Sequence, residues 1–240
     1  MELLCEEDTM STKGIDISYC QTKVDWNQVD ADFVIIRAGY GKYTKQKDTM
    51  FESHYAGAKS RGIPVGAYWY SYAKTPEDAA AEARTCVEIL KGKKFEYPIY
   101  YDVEEPDVFK LGKDKVSAII RVFCEHMEAA GYFVGLYGSY SSLTTYTAED
   151  IRKRYAIWLA HWDVQQSPYP GAYGVWQYGV GKAAGVSGDC DLDKGYVDYP
   201  TIIKEKGLNG YDKPDPQPSK TIKATIEIDG ITYSGDLKSV

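Results

Sequence analysis

The sequence predicts an α/β fold, namely an irregular barrel of the triosephosphate-isomerase type with some helices missing, followed by a short C-terminal β tail. Three observations lead to this prediction. The chain has 240 residues and 44% hydrophobic content, which is enough for one large domain with a sizeable core. It contains eight strand-like segments, mostly separated by helical patterns. Acidic residues fall near the ends of several of these strands, where such barrels place their active sites.

The predicted strands are short runs of apolar and aromatic residues bounded by turn signals. They span residues 14–18, 32–40, 65–72, 97–105, 133–139, 155–162, 174–178 and 189–193. The run at 32–40 is almost continuously apolar, which is typical of a parallel strand covered on both faces. We therefore expect parallel βα units that close into a barrel.

Helices are predicted where apolar residues recur at the helical period between the strands. A helix over residues 48–61 is closed by Gly62. Thr75 is the expected N-cap of the next helix, with Pro76 in its first position. Residues 113–130 form the longest helical pattern. The pattern weakens between strands five and eight, which is where helices are expected to be missing.

The fourth predicted strand ends in a cluster of acids. Side chains alternate along a strand, so Asp102 and Glu104 share one face, roughly 7 Å of backbone apart. Like charges this close favour retention of a proton by one carboxyl, which outlines an acid/base pair. Asp-x-Glu at a solvated strand end is also common, so the pair alone is weak evidence. Asp16 and Asp191 strengthen it, because they too lie near strand ends.

Arg37 interrupts the apolar run of the second strand, and a buried arginine needs a carboxylate partner. The acids of the first and fourth strands are the candidates. The chain is also rich in aromatic residues, with 22 Tyr, 5 Trp and 6 Phe. Rings with polar edges suit stacking on sugars, although many of them will simply fill the barrel. We select Tyr70, Tyr137 and Trp162 as groove residues, and Arg37 is a further candidate for substrate binding.

Composition argues against several function classes. The net charge of −7 disfavours nucleic acid as the main partner, because phosphate binding needs a basic surface. No stretch reaches the length of a transmembrane helix, so no membrane insertion is expected, and the acidic N-terminus does not resemble a signal peptide. The histidines lack ligand spacing, so we expect no metal and no cofactor. The five scattered cysteines are interpreted as free thiols from a reducing compartment.

The composition changes after the last predicted helix. We divide the chain into a polar leader at residues 1–12, a catalytic barrel at 13–207, a proline-rich linker at 208–219 and a β-rich tail at 220–240. An Asp-Gly pair in the tail predicts a small hairpin. A tail this short cannot form its own core, so it packs on a partner, begins a truncated module or mediates self-association.

Together, these segments resemble the family 25 glycoside hydrolases. The matching runs are G-I-D-I-S, V-I-I-R-A-G-Y-G, V-G-A-Y-W-Y, Y-P-I-Y-Y-D-V-E, G-L-Y, I-W-L-A-H-W, V-W-Q-Y and G-D-C-D-L-D, in this order. The resemblance implies a lysozyme, an N-acetylmuramidase that hydrolyses the β-1,4 bond between N-acetylmuramic acid and N-acetylglucosamine in peptidoglycan glycan strands. By position, Glu104 matches the general acid and Asp102 the adjacent carboxylate, while Asp16 and Asp191 match two further acids of the groove.

Two acids on one strand do not flank a glycosidic bond from opposite sides, so the resemblance favours a substrate-assisted route through the N-acetyl group. Two alternatives remain open. A chitinase-like endo-N-acetylglucosaminidase also uses an acid pair on strand four, but Tyr100 stands where its longer acid ladder would continue. A non-catalytic glycan-binding or phage structural module would not need a protonatable pair.

The resemblance also bears on where the protein acts. A wall-degrading domain without a signal peptide implies a phage-endolysin-like enzyme. Such an enzyme is made in the cytoplasm and reaches the cell wall through a holin or another non-secretory route. The other interpretation is that a leader has been removed.

Overall fold

A computed structural model of the chain describes residues 11–214 and 222–237. Its main body is a closed barrel of eight strands in sequence order. The strands are β1 Thr12–Ile17, β2 Phe33–Tyr40, β3 Val65–Tyr70, β4 Ile99–Asp102, β5 Val134–Ser139, β6 Ala156–Ala160, β7 Val175–Gly181 and β8 Cys190–Gly195. The helices are α1 Phe51–Ser60, α2 Pro76–Leu90, α3 Pro106–Phe109, α4 Lys113–Ala129, α5 Tyr140–Tyr146, α6 Glu149–Arg154 and α7 Tyr199–Lys206. The predicted α/β barrel is confirmed, while residues 1–10 of the predicted leader lie outside the described residues.

The direction of the last strand differs from the prediction of parallel units throughout. From β1 to β7, each strand is parallel to the next, whereas β8 is antiparallel to both β7 and β1. The connection explains this, because residues 182–189 form a loop without the helix that a parallel crossover normally uses. Residues 161–174, between β6 and β7, also lack a helix. Helices are therefore missing in the region where the pattern was weak.

Apolar side chains fill two layers, one inside the barrel and one between the barrel and its helices. Inside, the rings of Phe33 and Tyr100 are completely buried. Two glycines make room for them, since an added Cβ would lie 2.1 Å from the Phe33 ring at Gly14 and 2.4 Å from the Tyr100 ring at Gly135. Asp102 follows Tyr100 by two positions, so it lies on the same inner face, nearer the carboxyl ends of the strands.

The helices bury the faces that their periods predict. The buried residues of α4 are Val116, Ser117, Ile119, Ile120, Phe123, Cys124 and Met127. Tyr101, on the outer face of β4, stacks on Phe123 with ring centroids 3.7 Å apart, which fixes α4 against the strand that bears the acids. At the start of α2, the Thr75 hydroxyl accepts the Asp78 N–H at 3.1 Å and acts as the predicted N-cap.

Four cysteines lie in the described part of the chain, and all are free thiols: Cys20, Cys86, Cys124 and Cys190. Cys5 lies outside the described residues. Across residues 11–214 and 222–237, no helix is long and apolar enough to cross a membrane.

The segment after α7 packs more closely than the predicted linker suggests. Asn209 has no exposed surface; its side chain accepts the Phe133 N–H at 2.7 Å and donates to the Tyr97 carbonyl at 2.9 Å. The Tyr211 hydroxyl donates to Glu96. The first residues assigned to the linker therefore close the amino-terminal end of the barrel, and the packed unit extends beyond residue 207.

The predicted tail hairpin is confirmed by strands β9 Ile222–Ile228 and β10 Ile231–Leu237, which pair antiparallel. The turn between them has φ of 51° at Asp229 and 76° at Gly230. Positive φ at both central residues is typical of a type I′ turn, for which Asp-Gly is a preferred pair. Residues 215–221 of the predicted linker and tail lie outside the described residues.

Candidate active site

The inner face of β4 ends in two carboxyl groups. Asp102 is the last residue of the strand and is 3% exposed, whereas Glu104 lies two residues later with its side chain exposed. The two carboxyl groups lie close enough for each to shift the pKa of the other. The predicted pair is therefore brought together in the form of an acid/base pair.

Burial raises the pKa of both groups. The pKa of Asp102 lies well above its usual value, first because burial disfavours its charge and then because of the charge of Glu104 and the hydrogen bond to it. Burial also raises the pKa of Glu104, while the hydrogen bond from Asp102 opposes that rise. Asp102 lies deeper than Glu104, so burial disfavours its charged form more strongly. The sequence did not indicate this difference, because strand alternation gives the face of a residue but not its depth.

A second group of acids lies where β8 closes the barrel onto β1. The antiparallel register places Asp191 opposite Asp16, and Asp193 follows on the same face. Asp193 is 1% exposed; it accepts the Trp158 Nε1–H at 2.8 Å, and its carboxyl contacts that of Asp16. Burial, and then the charge of Asp191, raises the pKa of Asp193 to about 8. Burial also raises the pKa of Asp16 far above its usual value and that of Asp191.

Asp193 was missed in the sequence analysis, although a signal for it was present. The run D-C-D-L-D at residues 189–193 alternates, so Asp193 shares a face with the selected Asp191. Its proximity to Asp16 depends on the antiparallel direction of β8, which the sequence did not indicate.

Gln177 on β7 was also missed, and it connects three of the selected residues. Its side-chain N–H donates to Asp16 Oδ2 at 2.8 Å. Its oxygen accepts the Tyr137 hydroxyl at 3.0 Å and the Trp162 Nε1–H at 3.1 Å. The only sequence signal was a polar residue in the run V-W-Q-Y, because an amide that organises other side chains has no motif of its own.

Arg37 has a different partner from the one expected. Its Nε donates to Asp48 Oδ2 at 2.7 Å, and Asp48 precedes α1 rather than lying on β1 or β4. The positive charge still lowers the pKa of Asp102, although burial and Glu104 outweigh it. Asp48 escaped prediction because it lies in the predicted helix 48–61, eleven residues after the arginine, and nothing in that spacing marks an ion pair.

The selected aromatic residues lie on two sides of the acids. Trp162 is 45% exposed, and it lines a cleft of about 430 Å³ together with Tyr137 and Glu104. The remaining residues of this cleft are Ser139, Tyr140, Ser141, Ala160 and His161. Tyr70 lies elsewhere, with its hydroxyl 2.9 Å from Glu105 Oε1. Glu104 thus stands at the edge of an aromatic cleft with the size and rings to hold a sugar.

The described residues also line two further cavities, of about 430 and 510 Å³, and neither includes a member of the acid cluster. No group of three His, Cys, Asp or Glu side chains in the described part of the chain is arranged to hold a metal ion. The groups that the structure brings together at the site are carboxyls, aromatic rings and the Gln177 amide.

Comparison with known proteins identifies the family of the chain. Residues 15–186 match the family model for glycosyl hydrolases family 25. The autolytic lysozyme of Clostridium acetobutylicum is 30% identical over 232 residues, covering 91% of this chain and 68% of that protein.

Two solved structures are similar as well. The modular autolysin LytC of Streptococcus pneumoniae, in complex with a synthetic peptidoglycan ligand, is 30% identical with a TM-score of 0.68, covering 78% of this chain and 47% of LytC. The catalytic domain of endolysin ply40 from Listeria monocytogenes bacteriophage P40 is 26% identical with a TM-score of 0.68, covering 82% of this chain and 98% of that domain. The chain thus spans less than half the length of LytC.

The fold and the site define an α/β-barrel glycoside hydrolase. The chain belongs to glycosyl hydrolases family 25, and its barrel is a lysozyme-type catalytic domain. This confirms the resemblance in the sequence and argues against both the chitinase-like barrel and the non-catalytic module.

Proposed function

We propose that the barrel hydrolyses the β-1,4 bond between N-acetylmuramic acid and N-acetylglucosamine in bacterial peptidoglycan, with Glu104 as proton donor. The observation that most directly supports this is the carboxyl pair of Asp102 and Glu104 beside the Trp162 cleft in a family 25 barrel. Glu104 is the exposed member of the pair, so it can reach a glycosidic oxygen, which Asp102 at its greater depth cannot.

Both carboxyl groups lie on one side of the bond, which supports a substrate-assisted route. In the first step, the N-acetyl carbonyl oxygen attacks the anomeric carbon while Glu104 protonates the departing glycosidic oxygen. The resulting ring is positively charged, and the Asp102 carboxylate stabilises it. In the second step, Glu104 removes a proton from water as the water oxygen attacks the anomeric carbon, which restores the N-acetyl group and the protonated Glu104.

This route requires the proton to be on Glu104 and Asp102 to be charged, although burial raises the pKa of Asp102 well above its usual value. Substrate can offset this rise. An N-acetyl N–H that donates to Asp102 would stabilise its charged form and favour a proton on Glu104. The pair is then ready for catalysis only when the N-acetyl group is in place, which favours N-acetylated substrates.

The other selected residues are proposed to bind and orient the glycan strand. Trp162 and Tyr137 offer rings to a sugar on the cleft side, and Tyr70 contributes on the opposite side, next to Glu105. Asp16 and Asp191 line the floor of the groove between them. Gln177 holds Tyr137 and Trp162 in place from below.

Mass spectrometry of fragments released from purified peptidoglycan tests this function. We expect fragments with muramic acid at the reducing end, released by the wild type and by Asp107→Asn but not by Glu104→Gln. Asp107 is a matched control, since it is an exposed carboxylate three residues further on, paired with Lys110 at 2.6 Å. Glucosamine at the reducing end would assign the chitinase-like specificity instead, and the absence of fragments would mean a binding module.

A further inference from the structure

An arginine and three tyrosines form a continuous surface on the rim of the barrel, across the acids from the Trp162 cleft. We call Tyr19, Arg37, Tyr40 and Tyr72 the rim patch. The Arg37 guanidinium carbon lies 4.5 Å from the Tyr19 ring centroid and 5.9 Å from that of Tyr40. The Tyr40 and Tyr72 rings meet edge to face at 6.0 Å. The patch thus follows the carboxyl ends of β1, β2 and β3.

The rim patch is connected to the catalytic strand. The Tyr72 ring lies 5.2 Å from that of Tyr70, whose hydroxyl donates to Glu105, the residue after the proposed proton donor. Tyr19 is 51% exposed and Tyr72 is 50% exposed, so both rings present large surfaces to solvent. A glycan strand that crosses Glu104 from the Trp162 cleft would therefore continue over this patch.

Arg37 is held in place by a buried carboxylate. Asp48 accepts its Nε–H at 2.7 Å and also accepts the backbone N–H of Tyr19 at 3.0 Å and of Met50 at 2.8 Å. Among the described residues, Asp48 is the only hydrogen-bond partner of the guanidinium. The Nη groups thus have no hydrogen-bond partner among the described residues, and the guanidinium lies beneath the exposed Tyr19 ring. A planar guanidinium with free N–H groups suits a carboxylate.

The charge of the surroundings indicates what the patch would bind. The groove contains six acids: Asp16, Asp102, Glu104, Glu105, Asp191 and Asp193. A muramyl unit bears a carboxylate on its lactyl group, or further carboxylates on an attached peptide stem. The acids repel such a substrate, and its carboxylate gains most binding free energy where a fixed cation faces the groove.

We propose that the rim patch is the subsite for the substituent of a muramyl unit, with Arg37 binding its carboxylate and the tyrosine rings packing against the sugar. This inference rests on the proposed function, since it assumes a muramyl substrate. It makes Arg37 and Tyr19 determinants of specificity for carboxylated glycans over neutral ones. The carboxylate belongs either to the lactyl group or to the peptide stem, and the test distinguishes the two.

The test uses three glycan oligomers of equal length: peptide-bearing, peptide-free with a lactyl carboxylate, and peptide-free with that carboxylate converted to a methylamide. The readout is the ratio of kcat/KM for each carboxylated oligomer to that for the neutral one. A loss of folded enzyme, or an effect of Arg37 on the pKa of Asp102, changes kcat/KM for all three oligomers by the same factor. Both effects therefore cancel in the ratio. Lys45→Gln is the matched control, because Lys45 is an exposed cation on the same rim, 5.8 Å from the Tyr43 ring.

We expect Arg37→Gln to lower this ratio about tenfold, mainly through KM, as loss of one charge-assisted hydrogen bond implies. Arg37→Lys should recover part of the ratio, and Lys45→Gln should leave it unchanged. A loss on the peptide-free carboxylated oligomer alone assigns the lactyl carboxylate, and a loss on the peptide-bearing oligomer alone assigns the stem. Losses on both mean that Arg37 binds whichever carboxylate the muramyl unit presents. Tyr19→Ala keeps the ion pair between Arg37 and Asp48 and should lower the ratio severalfold. It provides a second test of the subsite if Arg37→Gln folds poorly.

Equal losses on all three oligomers in Arg37→Gln and Tyr19→Ala would overturn the subsite. So would a wild-type ratio near one, because the enzyme would then not distinguish a carboxylate at all. If the wild type cleaves none of the oligomers, the proposed function fails. This outcome differs from equal losses on all three oligomers and from a wild-type ratio near one, since both of those require cleavage.

Discussion

Replacing Asp193 by Asn would measure how much the buried acid cluster lowers the free energy of unfolding. Folding raises the pKa of Asp193 from the usual 3.8 to about 8. Between these values, the folded protein holds a proton that the unfolded chain releases, so the free energy of unfolding is highest below about pH 4 and falls as pH rises through 8. At 1.36 kcal/mol per pKa unit, the full loss is at most roughly 6 kcal/mol, and part of it belongs to the neighbouring Asp16.

The amide introduced by this substitution would keep an oxygen to accept the Trp158 N–H, but it cannot ionise. We therefore expect Asp193→Asn to match the wild type most closely at pH 5 and to become more stable than it by several kcal/mol at pH 8.5. Urea unfolding followed by tryptophan fluorescence at half-unit intervals of pH measures this difference. Asp189→Asn is the matched control, because Asp189 is an exposed acid just before β8, paired with Lys182 at 2.9 Å.

Comparison with the wild type at each pH is essential, because the titration of His54 changes the free energy of unfolding in the opposite direction. Burial lowers the pKa of His54, so its contribution to stability rises with pH through its usual titration range near 6.5. This contribution is common to both proteins and cancels in their difference. The reasoning is refuted if the Asp193→Asn difference is the same at pH 5 and pH 8.5, or if Asp189→Asn shows an equal trend.

The remaining predictions concern catalysis and the boundary of the barrel. Glu104→Gln should lower kcat by at least about a hundredfold with little change in melting temperature, and near-wild-type turnover would remove Glu104 from the mechanism. Asp102→Asn should be nearly as damaging, and substrates with better leaving groups should rescue it less than they rescue Glu104→Gln, since it does not remove the proton donor. Because burial raises the pKa of Glu104, kcat/KM on a soluble muropeptide should follow a bell centred at mildly acidic pH, and a rate still rising through pH 8 would exclude a protonated carboxyl. Truncation after Gly207 should lower the melting temperature by several degrees relative to truncation after Lys213. The reason is that loss of Asn209 leaves the Phe133 N–H and the Tyr97 carbonyl without their partner. Equal melting temperatures would place the end of the barrel domain at residue 207.

Much of the fold could be predicted because the signals were local. Thr75 and Pro76 mark the start of α2 by chemistry that acts within one turn, and the apolar run of β2 identifies a covered strand by itself. Asp102 and Glu104 were placed on one face by the same kind of argument, since strand alternation spans only a few residues. The residues that could not be predicted act across long sequence separations. Asn209 bonds to strand ends 76 and 112 residues away, and nothing in its neighbourhood marks it as buried.

The direction of one strand explains why the acids could be found from the sequence but their depth in the barrel could not. A parallel β8 would have reached the catalytic end with its last residues, whereas the antiparallel β8 begins there, so Asp191 and Asp193 run down into the barrel beside Asp16. Their depth raises their pKa values and that of Asp16. Asp191 also acts on the catalytic pair, because its charge raises the pKa of Glu104 and so favours a proton on the proposed donor. The strand that closes the barrel therefore also helps to set the protonation state of the catalytic pair.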